Sequence, residues 1–485
     1  MEKDFFSDDD RNYLPALPQG WVWAKLDTVC NKIQDGMHFS PPIQYDQRST
    51  GLFPYITAKN IKDSGIDLTT VTYIEEKYHQ EIFKRCNPEY EDILLTKDGV
   101  KTGEVCVNHL KEEFSLLSSV ALLKPKKEVI NPYFLKYYLS SPFGFSMIVG
   151  QMTGVAIKRI ILEKIKRSPI ILPPLCEQQH IAVKIEELFS QLDAGVASLK
   201  RVQAQIKRYR QAILKAAFEG RLTQEWREEH AKKDDLSDWK TDELGNLIYV
   251  AGRIGWRGLK ADEYTKTGPL FISVYNLNKG KYVDFTDSYH ITQERYDESP
   301  EIQLIPDDIL LVKDGSGIGK IGIVNELPQK ATVNSSLLVI RAGNVFIPDF
   351  LFYLLRGPKM QRIVHERITG SATPHLFQRD IKKFDLLIPP LDEQKAIVSE
   401  IERYLSITDE IEKIIDTSLR QAESLRQSIL KQAFEGKLVP QDPNDEPASI
   451  LLERIKAEKA RHAAGTKKGK TLQSKSPKRK IKNAN

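Results

Sequence analysis

Long apolar runs, paired cysteines and a secretory signal are missing from this sequence of 485 residues. No run of about 18 apolar residues occurs, so no segment is predicted to span a membrane. The N-terminus is acidic, with Asp8, Asp9 and Asp10, whereas a secreted protein begins with basic and then apolar residues. The four cysteines form no CxxC pair, which argues against disulfide frameworks and zinc sites and favours a reducing compartment. We therefore expect a cytoplasmic location.

Catalytic and nucleotide-binding signatures are absent as well. The nine histidines show no HExxH or other metal spacing, and no Ser-His-Asp or Cys-His set can be assembled. Residues 315–320 are rich in glycine and end in lysine, but Ile321 follows where a phosphate-binding loop needs Ser or Thr. A glycine-rich turn between strands is therefore favoured. The sequence predicts no catalytic residue, no metal site and no cofactor in this chain.

Positive charge is concentrated in one short segment. The formal net charge is +5, but residues 467–485 contain eight Lys or Arg and no acid. Without that tail the formal charge would be −3. A chain with this balance would have to bind nucleic acid through local patches, or together with partners that neutralise phosphates.

An internal repeat dominates what the sequence does contain. Residues 173–222 and 389–438 begin with PPLCEQ and PPLDEQ and end with FEGRL and FEGKL, and the copies are 216 residues apart at both ends. Each copy predicts a helix of about 40 residues, which would be roughly 60 Å long. Gly220 and Gly436 fall where a left-handed glycine commonly ends a helix.

Apolar residues recur at steps of three and four in both copies, with charged residues around them. The first apolar stripe comprises Ile181, Ile185, Leu188, Leu192, Val196, Leu199, Val202, Ile206, Tyr209 and Ile213. The second comprises Ile397, Ile401, Tyr404, Thr408, Ile411, Ile415, Ala422, Leu425 and Ile429. A long helix with so narrow a stripe needs a helical partner, and its repeat is the obvious one. The alternative is two ordinary surface helices on separate cores.

The segments that precede the two helices are also repeated. Residues 92–103 match residues 308–319 at eight of twelve positions, again at an offset of 216. Short apolar runs broken by Gly, Pro, Asn and Asp predict mixed strands and short helices. The predicted fold class is therefore α+β, with two pseudo-twofold-related α/β domains joined by two long antiparallel coiled-coil helices.

The order of these segments predicts the domain boundaries. They are an N-terminal lead-in at 1–17, a first α/β domain at 18–172, a first helical region at 173–222, a polar linker at 223–240, a second α/β domain at 241–388, a second helical region at 389–438, and a C-terminal extension with the basic tail at 439–485. Matched scaffolds with divergent loops suit a protein that reads two different DNA half-sites at a spacing set by the helices.

Candidate DNA-contacting residues lie in three loops that recur at matched positions. In the first domain they are Lys59, Asn60, Lys97, Asp98, Lys101, Thr102 and Lys158. In the second domain they are Tyr275, Asn276, Lys313, Asp314, Ser316, Lys320, Ser371, Thr373 and His375. Cations, amides and hydroxyls of this kind meet phosphates and base edges. The alternative is that all three loops are ordinary turns between strands.

Together these features resemble the specificity subunit of a type I DNA restriction-modification system. The resemblance covers nearly the whole chain and rests on the PPLxEQxxI starts at 173–181 and 389–397, the AFEGxL ends, the opening Gln19-Gly20-Trp21, and residues 437–447. It implies that the α/β domains are target recognition domains, each reading one half of a split, asymmetric DNA site. It also implies that the helices space these domains and dock two methyltransferase subunits.

The same resemblance implies the partners and their cofactors. The partners would be double-stranded DNA, two modification subunits that bind AdoMet and methylate adenine at N6, and motor-nuclease subunits that use ATP and Mg²⁺. Three alternatives are a non-catalytic coiled-coil adaptor that binds proteins, a free-standing restriction-methylation enzyme, and a repressor-like DNA binder without partners. The enzyme would need motifs for which no unassigned sequence is left. The adaptor would show no salt-dependent affinity for duplex DNA.

Overall fold

The computed structural model describes residues 14–149, 159–230, 238–253, 259–315, 317–369 and 375–457. The chain forms two compact units. The first unit comprises Met1–Ala197 and Leu419–Asn485, and the second comprises Ser198–Ser418. The basic tail lies outside the described residues, as does most of the expected lead-in. Among the described residues, no helix is both long and apolar enough to cross a membrane.

The α-helices are short except for two. They are α1 (Leu26–Val29), α2 (Glu76–Arg85), α3 (Pro132–Ser140), α4 (Pro142–Val149), α5 (Leu162–Arg167), α6 (Leu175–Phe218), α7 (Gln224–Glu229), α8 (Gln293–Asp297), α9 (Pro348–Arg356), α10 (Pro358–Thr369), α11 (Gln378–Lys382) and α12 (Leu391–Phe434). Helices α6 and α12 have 44 residues each, which confirms the two predicted long helices. Each of them begins in one unit and ends in the other.

The strands are distributed evenly over the two units. Those of the first unit are β1 (Val22–Lys25), β2 (Cys30–Asp35), β3 (Leu52–Ile56), β4 (Ile61–Lys62), β5 (Gly65–Ile66), β6 (Thr72–Glu75), β7 (Ile93–Thr96), β8 (Val105–Val107), β9 (Ser115–Leu116), β10 (Val120–Pro125) and β11 (Pro169–Leu172). Those of the second unit are β12 (Lys240–Glu243), β13 (Tyr249–Gly252), β14 (Thr265–Ile272), β15 (Tyr289–His290), β16 (Ile309–Val312), β17 (Ile321–Ile323), β18 (Ala331–Val333), β19 (Leu337–Arg341) and β20 (Asp385–Ile388).

The two units share one sheet topology. Each has a four-stranded antiparallel sheet, in the order β2-β10-β7-β8 in the first unit and β13-β19-β16-β17 in the second. Each also has a three-stranded sheet, β6-β3-β9 or β15-β14-β18, in which one pair of strands is parallel. A two-stranded ladder, β1-β11 or β12-β20, precedes the long helix of that repeat. The predicted repetition of an α/β domain is confirmed at the level of strand order.

The long helices pair antiparallel inside each unit. In the second unit, Arg210 Nε donates to Thr408 Oγ1 at 2.9 Å and Gln203 Nε2 donates to Asp416 Oδ1 at 3.5 Å. The residue number therefore rises along α6 while it falls along α12. In the first unit, the guanidinium of Arg426 lies 4.2 Å from the ring centroid of Phe189, in the same sense of pairing.

The predicted apolar stripe is only partly buried. Ile206, Ile213 and Ile415 are almost fully buried. By contrast, Val202 and Tyr209 on α6, and Ile411 and Leu425 on α12, are 38–50% exposed. A helix that faces a single partner buries only a narrow stripe, and residues one step to its side stay in solvent. The sequence pattern therefore predicted a wider buried stripe than the structure has.

The FEG segment ends each long helix as predicted and also fixes its last aromatic ring in a core. Gly220 and Gly436 have positive φ angles of 73° and 69°. The amides of Arg221 and Lys437 donate to carbonyls five residues earlier, which completes a Schellman-type cap. Just before these caps, Phe218 packs edge-on against Phe350 of α9, and Phe434 packs against Phe134 of α3, at centroid distances of 5.4 and 5.5 Å.

The glutamine of PPLxEQ ties each long helix to the sheet domain. Gln178 Oε1 accepts from the amide of Asn131 at 2.9 Å, and its Nε2 donates to the carbonyls of Val129 and Pro173. Gln394 repeats all three bonds in the second unit, to Ile347, Val345 and Pro389. Because both glutamines are completely buried, these bonds replace the water that the amide would otherwise need.

The glutamate of PPLxEQ anchors a tryptophan in each unit, but its other partners differ. Glu177 accepts from Trp21 Nε1 at 2.8 Å and from Gln441 Nε2 at 3.3 Å, and burial raises its pKa. The equivalent residue of the second unit, Glu393, accepts from Trp239 Nε1 at 2.8 Å and pairs with the buried guanidinium of Arg227 at 2.6 Å. The first unit thus has a neutral partner where the second has a cation.

The polar segment expected to be only a linker contains structure. Residues 224–229 form α7, and its Arg227 is 3% exposed. The Nη2 atom of Arg227 also donates to the carbonyl of Gly220 at 2.7 Å, so α7 is fixed to the end of the long helix that precedes it. The sequence of this polar linker gave no signal for the anchoring of α7, because the acid that pairs with Arg227 is 166 residues away.

Candidate nucleic-acid interface

Two short turns follow β3 and β14, and both are held by a buried asparagine. Asn60 Oδ1 accepts from the amide and hydroxyl of Thr57, at 3.0 and 3.1 Å, while its Nδ2 donates to the Asp67 carbonyl and to Thr70 Oγ1. Its neighbour Lys59 is exposed. Since the amide of Asn60 is fully engaged, Lys59 is the residue of this turn that can reach a ligand.

The second unit repeats this turn with a different exposed residue. Asn276 Oδ1 accepts from the amide of Ser273 at 2.8 Å, and its Nδ2 donates to the Asp284 carbonyl and to Ser288 Oγ. Asn276 is 3% exposed, whereas Tyr275 is 56% exposed. The two turns therefore share a scaffold and offer an ammonium in one unit and a phenol ring in the other.

The Lys-Asp-Gly turn after β7 contains a buried charge cluster. Lys97 is 1% exposed, and its Nζ lies 2.9 Å from Asp98 Oδ2 and 3.5 Å from Asp35 Oδ2. Asp35 also pairs with Arg85 at 3.0 Å, and Asp98 with Arg159 at 3.1 Å. In this arrangement Lys97 holds the turn rather than facing solvent, because two carboxylates neutralise its charge.

Exposed cations lie beside this buried cluster. Lys101 is exposed and its Nζ is 3.3 Å from Glu104 Oε1. The adjacent Lys101 ammonium lowers the pKa of Lys62, as expected for two cations held close together. Thr102 is buried and donates from Oγ1 to the carbonyl of Gly99 at 2.6 Å. Of these residues, the two lysines have side chains that can meet a phosphate.

In the equivalent turn of the second unit, the lysine has fewer carboxylates close to its ammonium group. Lys313 Nζ is 4.0 Å from Asp314 Oδ2, and Asp314 also pairs with His375. By sheet register Gly252 occupies the position that Asp35 has in the first unit, so Lys313 has no second carboxylate from that position. Lys320 is exposed and donates to Asn278 Oδ1 at 2.7 Å.

Backbone bonds bring the three predicted loops together in the first unit. Ser119 accepts at Oγ from the amide of Ala58 and at its carbonyl from the amide of Lys97. The carbonyl of Lys97 accepts from the amide of Ile160 at 2.9 Å. The turns at 57–62 and 97–104 and residues 159–160 therefore form one surface, which we call the first loop cluster.

The same loops meet in the second unit. Lys313 donates its amide to the Ser336 carbonyl and accepts at its own carbonyl from the amide of Leu376, both at 2.9 Å. Close packing brings in the remaining turn, because a Cβ at Gly317 would lie 2.8 Å from Val274 Cγ1. Residues 273–278, 313–320 and 375–376 form the second loop cluster. Lys158, Ser316, Ser371 and Thr373, which the sequence also predicts as DNA contacts, lie outside the described residues.

Several residues of the clusters were missed from the sequence. The repeat gave no signal for Asp35, because the residue at the equivalent sheet position is Gly252. Ser119 and Ser336 lie where the two copies slip by one residue. Arg159 was missed although it is 216 positions from His375, which was predicted, and both residues pair with matched aspartates, so the repeat could have identified it. Among the described residues, no group of three or more His, Cys, Asp or Glu could hold a metal ion.

Comparison with known proteins identifies the class of protein to which this chain belongs. A family profile, the type I restriction modification DNA specificity domain, matches residues 18–208 and again 237–421. Two copies of one domain that cover most of the chain agree with the repeated topology. The chain belongs to this family, the DNA specificity proteins of type I restriction-modification systems.

Similar proteins match over almost their entire length. The specificity subunit of type I restriction enzyme EcoBI from Escherichia coli is 29% identical over 476 residues, which are 94% of this chain and 96% of that protein. The StySPI specificity subunit from Salmonella potsdam is 28% identical over 467 residues, 92% of this chain and 96% of that protein. As a specificity subunit, this chain is a DNA-recognition component, and catalytic activity lies in partner subunits.

Solved structures share the fold at lower identity. One comes from work on complex assembly and conformational transition of the type I R-M system, with a TM-score of 0.66, 17% identity, and coverage of 87% of this chain and 100% of that chain. The HsdS subunit from Thermoanaerobacter tengcongensis has a TM-score of 0.55 and 18% identity, covering 88% of this chain and 99% of that one. These likenesses confirm the fold class.

Proposed function

We propose that each unit reads one half of a bipartite, asymmetric DNA site through its loop cluster. The observation that carries this proposal is the pairing of one scaffold with two sets of exposed side chains. Lys59 in the first cluster corresponds to Tyr275 in the second, and Arg159 corresponds to His375. A shared scaffold places both clusters alike against DNA, while different side chains read different bases.

The chemistry divides between positioning and reading. Lys59, Lys62 and Lys101 are suited to phosphates, because ammonium groups on exposed turns neutralise backbone charge without selecting a sequence. Tyr275 can donate and accept hydrogen bonds and stack on a base, so it suits direct reading. The hydrogen bond between His375 and Asp314 can orient the tip of the second cluster. Base choice then depends on residues that differ between the units.

The long helices, on this proposal, set the half-site separation and dock two methyltransferase subunits. Exposed apolar side chains support docking, because they are costly in water and useful at an interface. They are Val183 and Leu425 in the first unit, and Val202, Tyr209, Ile407, Ile411 and Ile414 in the second. The methyltransferase partners would bring AdoMet, and motor-nuclease partners would bring ATP and Mg²⁺; this chain would bind none of these.

Mapping of N6-methyladenine tests the recognition proposal. DNA would be sequenced from cells that carry this gene with its methyltransferase partner, and from cells that lack only this gene. We expect a two-part asymmetric motif that disappears with the gene. Replacing residues 18–172 by the same segment of a relative should change one half of the motif and leave the other half. Unchanged methylation would contradict DNA recognition and favour the protein-binding adaptor.

Docking requires a separate test on one exposed helix residue. Ile414 is 63% exposed, so Ile414→Asp should leave the melting temperature unchanged within about 1 °C, since surface substitutions have small effects. It should nevertheless reduce co-purification of the methyltransferase. Lys413→Ala, at the neighbouring exposed lysine, is the matched control and should retain the partner. Equal retention by both variants would mean that the partner does not dock on this face.

A further inference from the structure

The second unit encloses an arginine whose charge has no counterion. Arg253 directly follows β13 and is 2% exposed. Its Nε donates to the Val333 carbonyl at 3.3 Å, but within the described residues neither Nη1 nor Nη2 has a hydrogen-bond partner. Burial, and then the nearby Arg295, lowers the pKa of this guanidinium. An unpaired buried cation of this kind is strongly destabilising, so its presence calls for a reason.

Among the described residues, no carboxylate pairs directly with Arg253. Residues 254–258 contain no acid and add another arginine, Arg257. Glu298 and Glu301 act on Arg253 only through space, and Glu298 is paired with Arg295 at 2.6 Å. The ring of Phe271, 5.7 Å from the guanidinium carbon, offers a cation–π contact but no negative charge.

Arg253 lies at the edge of the unit that carries the second loop cluster. Its side chain contacts Val333, the last residue of β18, and Phe271, the last but one of β14. These two strands are parallel, so their ends lie at the same edge of the sheet. Beyond β14 comes the Tyr275 turn, and beyond β18 comes Ser336, which binds the Lys313 turn. The unpaired cation therefore lies directly behind the loops proposed to meet DNA.

The first unit has no such charge. By sheet register the residue equivalent to Arg253 is Gly36, because Asp35 pairs with Ala121 as Gly252 pairs with Leu338. In that unit the buried Lys97 has two carboxylates, whereas Lys313 has one. Since the same scaffold accepts glycine at this position, the fold does not require arginine there. The excess positive charge is particular to the second unit.

We propose that Arg253, which is buried in the free protein, becomes a DNA-phosphate contact of the second recognition unit once DNA is bound, and that bound DNA supplies its counterion. This proposal rests on the proposed function, since it assigns a residue to the second half-site. In the free protein the guanidinium is strained by burial without a partner, and DNA binding relieves that strain. Such a residue lowers the stability of the free protein and raises its affinity for DNA.

The decisive variant is Arg253→Met, which removes the charge and keeps a long, unbranched side chain. The full chain would be assembled with its methyltransferase partner and titrated with a duplex carrying the methylated motif at several salt concentrations. Loss of one phosphate contact should weaken binding roughly eightfold at 0.1 M salt and make the slope of log K against log salt shallower by about 0.9. The melting temperature of the variant should rise by about 2 °C or more, since a buried unpaired charge is removed.

Two further variants separate charge from structure. Arg253→Lys keeps the charge and should retain the wild-type salt slope. Arg341→Met removes a guanidinium of the same unit that is already paired with Asp308 at 2.8 Å, so it should lower the melting temperature and leave the slope unchanged. If Arg253→Met lowers the melting temperature and leaves the slope unchanged, Arg253 is structural and the proposal is wrong.

The source of the anion can also be distinguished. Inorganic phosphate can be tested as an alternative anion by measuring the melting temperature with and without it. If phosphate raises the melting temperature of wild type but not of Arg253→Met, and both proteins bind DNA with equal affinity, then the anion is not DNA and the assignment is wrong. Failure of the proposed function would look different. In that case the wild-type complex itself would show no preference for the two-part motif, whatever residue stands at position 253.

Discussion

Arg210 on α6 forms an ion pair with Asp409 on α12, and the repeat reproduces this contact with the helices exchanged. Asp193 of α6 pairs with Arg426 of α12, and each of these four residues is 216 positions from its equivalent. The register between the helices is therefore the same in both units. Arg210 adds a bond to Glu412 at 3.0 Å, while Arg426 adds the ring of Phe189.

We expect Arg210→Met to lower the free energy of unfolding by about 1–2 kcal/mol, because it removes a partly buried network of three acceptors. Urea unfolding of the full chain, followed by circular dichroism, measures this change. Arg403→Met is the matched control, since Arg403 pairs with Glu400 and lies over the ring of Tyr404 on an exposed helix face, and its effect should be below about 1 kcal/mol. Equal losses for the two variants would contradict a special role for Arg210.

The two glutamates of the PPLxEQ segments should respond differently to neutralisation. Glu393→Gln removes a buried carboxylate that lies 2.6 Å from the guanidinium of Arg227 and should cost about 3–5 kcal/mol of unfolding free energy. Glu177→Gln should cost less than about 1.5 kcal/mol, because its partners Trp21 and Gln441 are neutral. Urea unfolding at pH 7 provides the comparison. A larger loss at Glu177 than at Glu393 would contradict this prediction.

Glu177 also predicts a pH dependence. Burial raises its pKa above the ordinary 4.5, so the folded chain binds a proton more readily than the unfolded chain. Its favourable contribution is fully present below pH 4.5 and is lost as pH rises through the higher folded pKa. The free energy of unfolding of wild type, relative to Glu177→Gln, should therefore fall over this range and then level off. A difference that stays constant with pH would show that Glu177 is not shifted.

Within each turn after β3 and β14, the asparagine and its neighbour should have separable roles. Asn276→Ala removes bonds to buried groups and should cost about 1–3 kcal/mol of stability. Tyr275→Ala should leave the melting temperature nearly unchanged and weaken binding of the methylated duplex by about 1–3 kcal/mol if the ring stacks on a base. Thermal unfolding and fluorescence titration measure the two effects. Loss of affinity without loss of stability in Asn276→Ala would reverse this division.

Much of the fold could be predicted because the repeat tested every local pattern twice. The two long helices, their glycine caps and the duplicated domain all follow from residues that recur at one offset. The PPLxEQ segment contains contacts that the repeat could not predict. Gln178 was assigned only to the start of a helix, whereas it binds the backbone of Val129 and Asn131. Partners that lie about 50 residues away leave no periodic signal.

The repeat predicted which loops form the candidate site, but it did not predict what each residue does within them. Lys97 was expected at a loop tip facing DNA and is buried, where Asp35 reaches it from β2, two strands away in the same sheet. Asn60 could have been recognised, since Thr57 and Asn60 have the spacing of a capping box. Arg253 could not, because an arginine after a strand usually reaches solvent. Its burial depends on β14 and β18, which contribute Phe271 and Val333 from elsewhere in the chain.

The division of the chain into units has a consequence for its synthesis. The second unit is one continuous segment, Ser198–Ser418, whereas the first needs Leu419 onward to complete its core, including Phe434 against Phe134. A ribosome therefore finishes the second unit while the first, although begun earlier, still lacks a helix. Domains usually fold in the order in which they are made, but here the order of completion is reversed. Truncated chains that stop before residue 419 would expose the unfilled apolar surface of the first unit and become targets for chaperones and proteases.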